Sequence, residues 1–305
     1  MEFKNLKDLF IKFSNEEICK AYLEKKRWPN GIVCPYCNHS GKIYNIENGK
    51  RYKCGNPQCH KKFSVTVGTI YESSKIPLST WFGAVYICLA HKKGISSCQL
   101  ARDLGVSQKA AWFMLHRIRE MLSSDEGMFK NTVEVDGSYI GGKEKNKHTN
   151  KKKEMLPHFG KTPVVGIIER GGNVYAQKVK SESNVIAIVE KRVEKGSTIM
   201  TDEMNAYVQL NDQYQHFAIT HSEHKYVNGL VHTNTIEGFW SLLKRGIIGI
   251  YHSVTYKHLN HYCDEFSYRY NTRKITDSQR FHLAMPRVSG RRLRYKELTS
   301  KNYGL

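Results

Sequence analysis

The sequence lacks a hydrophobic run long enough to cross a bilayer. Its longest apolar stretch, residues 76–90, is interrupted by Pro77, Ser79 and Thr80. It is shorter than the roughly 20 apolar residues that a membrane helix needs. No hydrophobic segment follows a basic N-terminus, as a secretory signal would require. These absences argue against a membrane or secreted protein, so we expect a cytoplasmic one.

Acidic residues are also scarce. The 305 residues include 28 Asp and Glu against 48 Lys and Arg, which gives a formal net charge of +20. Such an excess favours a polyanionic partner such as nucleic acid. Hydrophobic residues make up 40% and aromatic residues 11% of the chain, so it is not a disordered basic tail, which would be poor in both. The length allows two or three domains.

Cysteine usage predicts a metal site. Four of the eight cysteines are scattered, and the others form two close pairs, Cys34 with Cys37 and Cys54 with Cys59. Two such pairs are typical of a zinc ribbon, in which four sulfurs bind one structural zinc ion. Two disulfides are the alternative, but the absence of a secretory signal argues against an oxidising compartment. His39 and His60 lie beside the pairs, and either could replace one cysteine ligand.

Residues 76–124 contain three predicted helices, and the last two form a helix-turn-helix pattern. One helix stops at Gly105, and Ser107 caps a longer helix that runs to about Leu122. The small Ala101, four residues before Gly105, lets two such helices cross closely. An ordinary three-helix bundle with a solvated basic side is the alternative.

Basic and polar residues on one side of the longer helix favour DNA binding in a chain of this charge. A second basic segment, residues 143–161, holds six Lys between 143 and 153 and is predicted to be a loop. That loop either contacts DNA phosphates or only solubilises the chain. The residues predicted to contact DNA are Gln108, Lys109, Trp112, His116, Arg119, Lys151, Lys152, Lys153 and Arg245.

From Thr132 onward the apolar pattern changes to that of strands. Three strands separated by glycine turns are followed by a helix, two strands and a helix. This order predicts an α/β domain with a mixed sheet, and it is also the order of ribonuclease H-like nucleases. We therefore expect a multidomain α+β protein in which a zinc ribbon and a helix-turn-helix precede a ribonuclease H-like domain.

Three carboxylates stand out by their positions in this order. Asp136 lies on the first strand, Asp202 ends the fourth strand, and Glu237 lies near the start of the predicted helix 234–249. The first and fourth strands are expected to be neighbours, with that helix packed across them. Three such anions repel one another unless cations neutralise them. Oxygen ligands suit Mg²⁺ or Mn²⁺, and two such ions can cleave a phosphodiester. Lys244, two turns beyond Glu237, is placed to hold a phosphate.

Other residues compete for these roles. Glu134 lies on the same strand face as Asp136, and Glu203 follows Asp202. Asn234, one helical turn before Glu237, could also reach the metal or a phosphate, and it is the reserve candidate for the third ligand. We expect Trp240 to serve packing rather than chemistry.

Several motifs together carry a resemblance to a known family. They are CPYC with CGNPQC, the helix-turn-helix, VEVDGSYIGGK, MTDEMNAY and HTNTIEGFWSLLKRGIIGIYHSV. The chain resembles, over nearly its whole length, the ISXO2-like zinc-ribbon insertion-sequence transposases of bacteria and archaea, which are related to the Merlin elements of eukaryotes. The resemblance implies a DDE-type catalytic domain that binds terminal inverted repeats and uses Mg²⁺ or Mn²⁺ to cut and rejoin DNA. It assigns the metal ligands to Asp136, Asp202 and Glu237, with Lys244 as the accompanying basic residue.

The expected organisation follows from these motifs. The predicted segments are 1–27 for N-terminal helices, 28–72 for the zinc ribbon, 76–124 for the helix-turn-helix, 130–275 for the catalytic domain and 276–305 for a basic C-terminal tail. We expect a transposase that binds double-stranded DNA as a homodimer or larger assembly, associated with the nucleoid. A DNA-binding regulator and a ribonuclease H-like nuclease without strand transfer are the alternatives.

Overall fold

The computed structural model describes the chain except for Met1 and residues 124–126, 143–160, 182–183, 203–206, 208–209, 211–212, 220–231, 302 and 305. The chain divides into two compact units. Unit 1 comprises Met1–Leu122 and Ile275–Lys301, and unit 2 comprises Ser123–Lys274 and Asn302–Leu305. Among the described residues, no helix is long and apolar enough to span a membrane.

Unit 1 is built from helices and one small sheet. Its helices are α1 (Leu6–Lys12), α2 (Glu16–Arg27), α3 (Leu78–Ala90), α4 (Ser97–Leu104), α5 (Gln108–Leu122), α9 (Asp277–Ala284) and α10 (Tyr295–Thr299). The sheet is antiparallel, with β1 (Ile43–Ile46), β2 (Arg51–Cys54) and β3 (Lys62–Phe63) in that order. Tyr52 and Phe63 are buried beside Trp28 and the buried cysteines, which gives this small sheet an aromatic core.

Helices α4 and α5 lie where the helix-turn-helix was predicted, with Gly105 between them. Gly105 ends α4 in the left-handed conformation, with φ at 64°, which glycine adopts without the steric cost of a side chain. The Ser107 hydroxyl accepts a hydrogen bond from the Ala110 amide at 3.2 Å and caps the start of α5. The apolar face of α5 is buried, including Ala111, Leu115 and Ile118.

The C-terminal segment differs from the prediction, since residues 275–301 belong to unit 1 and do not form a basic tail. Helix α9 begins with a capping box in which Thr276 and Gln279 satisfy each other's backbone amides. Phe281, Met285 and Leu298 are completely buried. Spaced apolar residues therefore override the arginine-rich composition that suggested a solvated tail.

Unit 2 contains a five-stranded mixed sheet. Its strands are β4 (Thr132–Ile140), β5 (Thr162–Glu169), β6 (Val174–Lys178), β7 (Thr198–Asp202) and β8 (Gln215–Ile219). Their order is β6-β5-β4-β7-β8, with β4, β5 and β6 antiparallel and with β7 parallel to both β4 and β8. This confirms the predicted ribonuclease H-like arrangement, in which the first and fourth strands of the unit are neighbours.

Helices cover both faces of this sheet. They are α6 (Val185–Arg192), α7 (Asn234–Gly246) and α8 (Leu259–Asn271), and a π-helical segment, Ile247–Tyr251, extends α7. Val133 and Val135 of β4 pack into the core on the α6 side. Ile140 packs on the opposite side, with residues of α7 and α8. Because side chains alternate along a strand, Glu134 and Asp136 lie on the face that α7 covers.

Candidate functional site

Strand pairing brings Asp136 and Asp202 to the same edge of the sheet. β4 and β7 run parallel with Glu134 opposite Met200, and each aspartate lies two residues further along its strand. Both side chains are half-buried. The carboxyl ends of two adjacent parallel strands therefore present two acidic groups side by side.

Glu237 approaches from the first turn of α7. Its side chain is exposed, and its carboxylate accepts a hydrogen bond from the Thr233 hydroxyl at 3.2 Å. The pKa of Asp136 is affected by both of the other acids. Burial and the negative charges of Asp202 and Glu237 together raise the pKa of Asp136 to about 6, although hydrogen bonds from Trp240 and the Gly137 amide act to lower it. The structure thus brings the three predicted carboxylates within electrostatic reach.

Trp240 holds Asp136 in place. The indole Nε1–H donates to Asp136 Oδ2 at 2.8 Å, and the ring is 4% exposed. Gly166 is the residue of β5 paired with Asp136, and a Cβ at Gly166 would lie 2.6 Å from the indole ring. A glycine at this point in β5 is therefore what lets the ring lie over the strand. Sequence reasoning assigned Trp240 to packing and missed this polar contact.

Glu134 is a buried anchor for α7. Its side chain is 0% exposed, and its carboxylate accepts hydrogen bonds from Arg170 Nε at 2.8 Å, the Thr235 hydroxyl at 2.8 Å and the Ile236 amide at 3.0 Å. A carboxylate at the start of a helix is also favoured by the helix dipole. Because these three donors occupy the oxygens of its carboxylate, Glu134 is not a candidate metal ligand. It instead fixes the turn of α7 that carries Glu237.

The remaining predicted residues of α7 lie on its accessible surface. Asn234, Lys244 and Arg245 are all exposed. Lys244 lines a cavity of about 630 Å³ together with Lys161 and residues at the end of β4. The Lys244 ammonium group is therefore carried on the same helix as Glu237, about two turns further along.

The chemistry of these acids fits divalent cations. Carboxylate oxygens are the donors that Mg²⁺ and Mn²⁺ prefer, and the raised pKa of Asp136 shows that its negative charge is poorly compensated. Among the described residues, however, only the four cysteines bring three or more potential ligand atoms close enough together to hold an ion. The carboxylates are neighbours without forming a closed cage.

The cysteine cluster of unit 1 is compact. The ligand atoms of Cys34, Cys37, Cys54 and Cys59 all lie within 4.8 Å of one another, with Sγ separations of 3.8 Å between Cys34 and Cys59 and 3.6 Å between Cys37 and Cys54. Four sulfurs about 2.3 Å from a central zinc would lie about 3.8 Å apart. All four cysteines are free thiols, so the geometry fits a structural zinc ion and not two disulfides.

Tight turns bring the sulfurs together. Asn38 and His60 directly follow the second cysteine of each pair, and both have left-handed φ values, 56° and 47°. The Cys34 amide donates to the His39 carbonyl at 2.9 Å, and the Cys54 amide donates to the Lys61 carbonyl at 3.0 Å. His39 and His60 are not members of the cluster.

The residues of α5 that were predicted to contact DNA differ in their exposure. Gln108 and Lys109 are exposed at the start of the helix, and Trp112 is half-buried. His116 and Arg119 are each 1% exposed, so their side chains lie in the interior and the prediction is wrong for both. Trp112 packs against His116 and against Tyr295 of the C-terminal segment, with ring centroids 4.5 Å and 6.3 Å apart.

Some predicted residues lie outside the described part of the chain. These are Lys151, Lys152, Lys153 and Glu203, together with nearly all of the predicted loop 143–161.

Comparison with known proteins agrees with this architecture. The family model for the ISXO2-like transposase domain matches residues 128–271, and the transposase zinc-ribbon domain matches residues 14–62. A relative from Halobacterium salinarum, an uncharacterized protein in transposable element ISH50, is 29% identical over 251 residues, which cover 76% of this chain and 83% of that protein.

A crystal structure of a pre-cleavage Mos1 transpososome also matches. It is 12% identical, covers 64% of this chain and 72% of that chain, and has a TM-score of 0.29, a likeness too slight to carry an argument. The two family models match separate parts of the chain and together span more than half of it. The chain therefore joins a segment that matches the transposase zinc-ribbon domain to a segment that matches the ISXO2-like transposase domain.

Proposed function

We propose that this protein is the DNA transposase of an insertion sequence. In this role it binds the terminal inverted repeats, cleaves the DNA at each end and joins the freed 3′-hydroxyls to target DNA. The observation that carries the proposal is the coupling of Asp136, Asp202 and Glu237 at one edge of the sheet, inside the region that matches the transposase domain. Repulsion among three neighbouring carboxylates is unfavourable in a purely structural domain, whereas bound divalent cations would relieve it.

Each residue of the site has a distinct proposed role. Asp136, Asp202 and Glu237 would hold two Mg²⁺ or Mn²⁺ ions. Such a pair of ions would activate the attacking oxygen and stabilise the leaving oxygen. The Trp240 indole keeps Asp136 Oδ2 oriented through its 2.8 Å hydrogen bond. Glu134 keeps α7, and with it Glu237, against β4. Exposed Lys244 binds a DNA phosphate beside the acids.

Unit 1 supplies DNA recognition in this proposal. The zinc ribbon and the α4–α5 pair are small, rigid elements of the kind that present side chains to DNA. Gln108 and Lys109 remain exposed at the start of α5, the end that enters the groove in a helix-turn-helix. Because two element ends must be joined in one event, the active species is a homodimer or a larger assembly on DNA.

A plasmid assay tests the proposal. A plasmid that carries the gene's flanking DNA is incubated with the protein and Mg²⁺, and excised and inserted products are counted by sequencing. Asp136→Asn, Asp202→Asn and Glu237→Gln should each lower product formation at least 100-fold, since a metal ligand contributes about 3 kcal/mol or more to the transition state. Glu190→Gln changes an exposed carboxylate of the same unit and should leave the products unchanged.

The reaction products also distinguish a transposase from a nuclease and from a DNA-binding regulator. Full activity in any one of the three carboxylate variants would refute the role assigned to that residue. Asn234→Ala decides the reserve ligand, because we expect it to retain most activity while Glu237→Gln does not. Cleaved but never inserted DNA would indicate a nuclease without strand transfer, and DNA binding without any cleavage would indicate a regulator.

A further inference from the structure

A second charged cavity lies at the opposite edge of the catalytic sheet. It has a volume of about 550 Å³ and is lined by four cationic residues: Lys178, Lys180, Lys191 and Arg192. Polar groups of Tyr175, Asn184, Tyr256 and Asn260 also line it, and none of the described residues in the lining is an Asp or Glu. The lining therefore concentrates four positive charges with no carboxylate among them.

Lys178 places one of these charges in the protein interior. The residue is 8% exposed, and its ammonium group donates to the backbone carbonyls of Tyr256, at 3.1 Å, and Gly304. It also lies 3.8 Å from the centre of the Tyr256 ring. Burial lowers the pKa of Lys178, because removing an ammonium from water is costly. Neutral carbonyls and a ring only partly offset that cost, and an anion in the cavity would offset more of it.

The other cations form a wall and a rim. Arg192 is 9% exposed, and its guanidinium lies 4.4 Å from the centre of the Tyr175 ring. This stacking fixes the plane of a group that pairs well with phosphate oxygens. Lys180 and Lys191 are exposed. Two buried cations and two exposed cations together suit a ligand that carries several negative charges.

The cavity is separate from the carboxylate site. It lies at the edge strand β6, and β5 separates β6 from β4, the strand of Asp136. Two strand spacings amount to about 10 Å. A ligand in this cavity would therefore be held beside the reacting phosphodiester and not at it.

We propose that this cavity is a phosphate-binding site, and that its occupant is the phosphodiester backbone of the DNA on which the protein acts. The choice of DNA as occupant rests on the proposed function, whereas the recognition of phosphate rests on the lining alone. Phosphates match the site because they carry fixed negative charge and accept hydrogen bonds from ammonium, guanidinium and amide groups.

Neutralising the rim tests the proposal in the full-length protein. The affinity for a fluorescein-labelled DNA duplex is measured by anisotropy in buffer without added Mg²⁺ or Mn²⁺, which leaves the structural zinc in place, at salt concentrations from about 50 to 200 mM. Lys180→Gln with Lys191→Gln should reduce the slope of log affinity against log salt by about 2, because each lysine neutralises one phosphate. The control, Lys130→Gln with Lys195→Gln, removes the same charge from exposed lysines outside the lining and should leave the slope unchanged.

A second arm identifies the source of the phosphate. Calorimetric titration with pyrophosphate should show a binding event that is abolished in the Lys180 and Lys191 variant and retained in the control. Abolished pyrophosphate binding with an unchanged DNA slope would support the phosphate site but overturn DNA as its occupant. Equal slopes and equal pyrophosphate binding in the two double variants would overturn the site itself. Since no step requires cleavage, a failure of the transposition assay leaves these results interpretable.

Discussion

Replacing Asp136 with Asn should make the metal-free protein more stable while abolishing its proposed activity. The pKa of Asp136 is raised from 3.8 to about 6 in the folded state. A carboxyl with a raised folded pKa binds its proton more tightly when folded, so its ionisation destabilises the fold. The contribution of Asp136 to stability is therefore lost as the pH rises from about 4 to about 6, and it stays constant above that range. Because Asn is neutral at every pH, the Asp136→Asn protein does not lose this stability as the pH rises.

The size of the effect follows from the shift. One pKa unit corresponds to about 1.4 kcal/mol, so a shift of about two units gives at most about 3 kcal/mol. Because Asp136 is half-buried and partly screened by water, we expect Asp136→Asn to gain about 1–3 kcal/mol of unfolding free energy at pH 8 and almost nothing at pH 4. The Asn side chain can still accept the Trp240 hydrogen bond.

Cys263 provides an assay confined to unit 2. It is the only cysteine between residues 123 and 274, and it is completely buried on α8. The protein is equilibrated in urea at each pH, pulsed with a thiol reagent at one fixed pH, and the labelled fraction of the Cys263 peptide is measured by mass spectrometry. Glu190→Gln is the control.

Two results would refute the reasoning. One is equal stability of the wild type and Asp136→Asn at pH 8, and the other is a stability difference that does not change between pH 4 and pH 8. Adding Mg²⁺ provides an independent check. Bound metal stabilises the folded state by mass action, so Mg²⁺ should raise the unfolding free energy of the wild type and have little effect on Asp136→Asn.

Three further predictions concern other parts of the molecule. In Glu134→Gln, the NH₂ group of the new side chain faces at least one of the three groups that donate hydrogen bonds to the carboxylate. This change should lower the unfolding free energy in the Cys263 assay by about 2–4 kcal/mol. A destabilisation below about 0.5 kcal/mol would contradict the anchoring role. Gly166→Ala puts a methyl group 2.6 Å from the Trp240 ring, so it should cost about 1–3 kcal/mol and raise the pKa of Asp136 further, as followed by carboxyl NMR titration. Unchanged stability and pKa would show that the ring moves aside freely. Cys34→Ser and Cys54→Ser should each lose bound zinc and unfold the ribbon, as measured by elemental analysis and circular dichroism, and one retained zinc ion per chain would contradict the ligand assignment.

The arrangement of the sheet could be predicted from the sequence because its signals are local. Glycine turns separate the strands, and their order places Asp136 and Asp202 on neighbouring strands. The cysteine pairs are equally local, since each pair lies within one turn. Spacing along the chain was therefore sufficient to nominate both groups of candidate metal ligands, the carboxylates and the cysteines.

Interactions between distant segments could not be predicted in this way. The packing of Tyr295 against Trp112 joins α5 to a C-terminal segment more than 150 residues away, and helical periodicity within α5 contains no trace of it. The Trp240–Asp136 bond spans 104 residues and depends on the absence of a side chain at Gly166. A charge count likewise could not distinguish Glu134, which is buried and fully engaged, from Asp136 two residues later.

The divided path of unit 1 has a consequence for synthesis on the ribosome. Phe281, Met285 and Leu298 belong to the interior of unit 1, yet they are translated after all of the chain from Ser123 to Lys274. The five strands of unit 2 are therefore all translated before the interior of unit 1 is complete. A nascent or truncated chain that ends before Phe281 is left with an incomplete interior in unit 1.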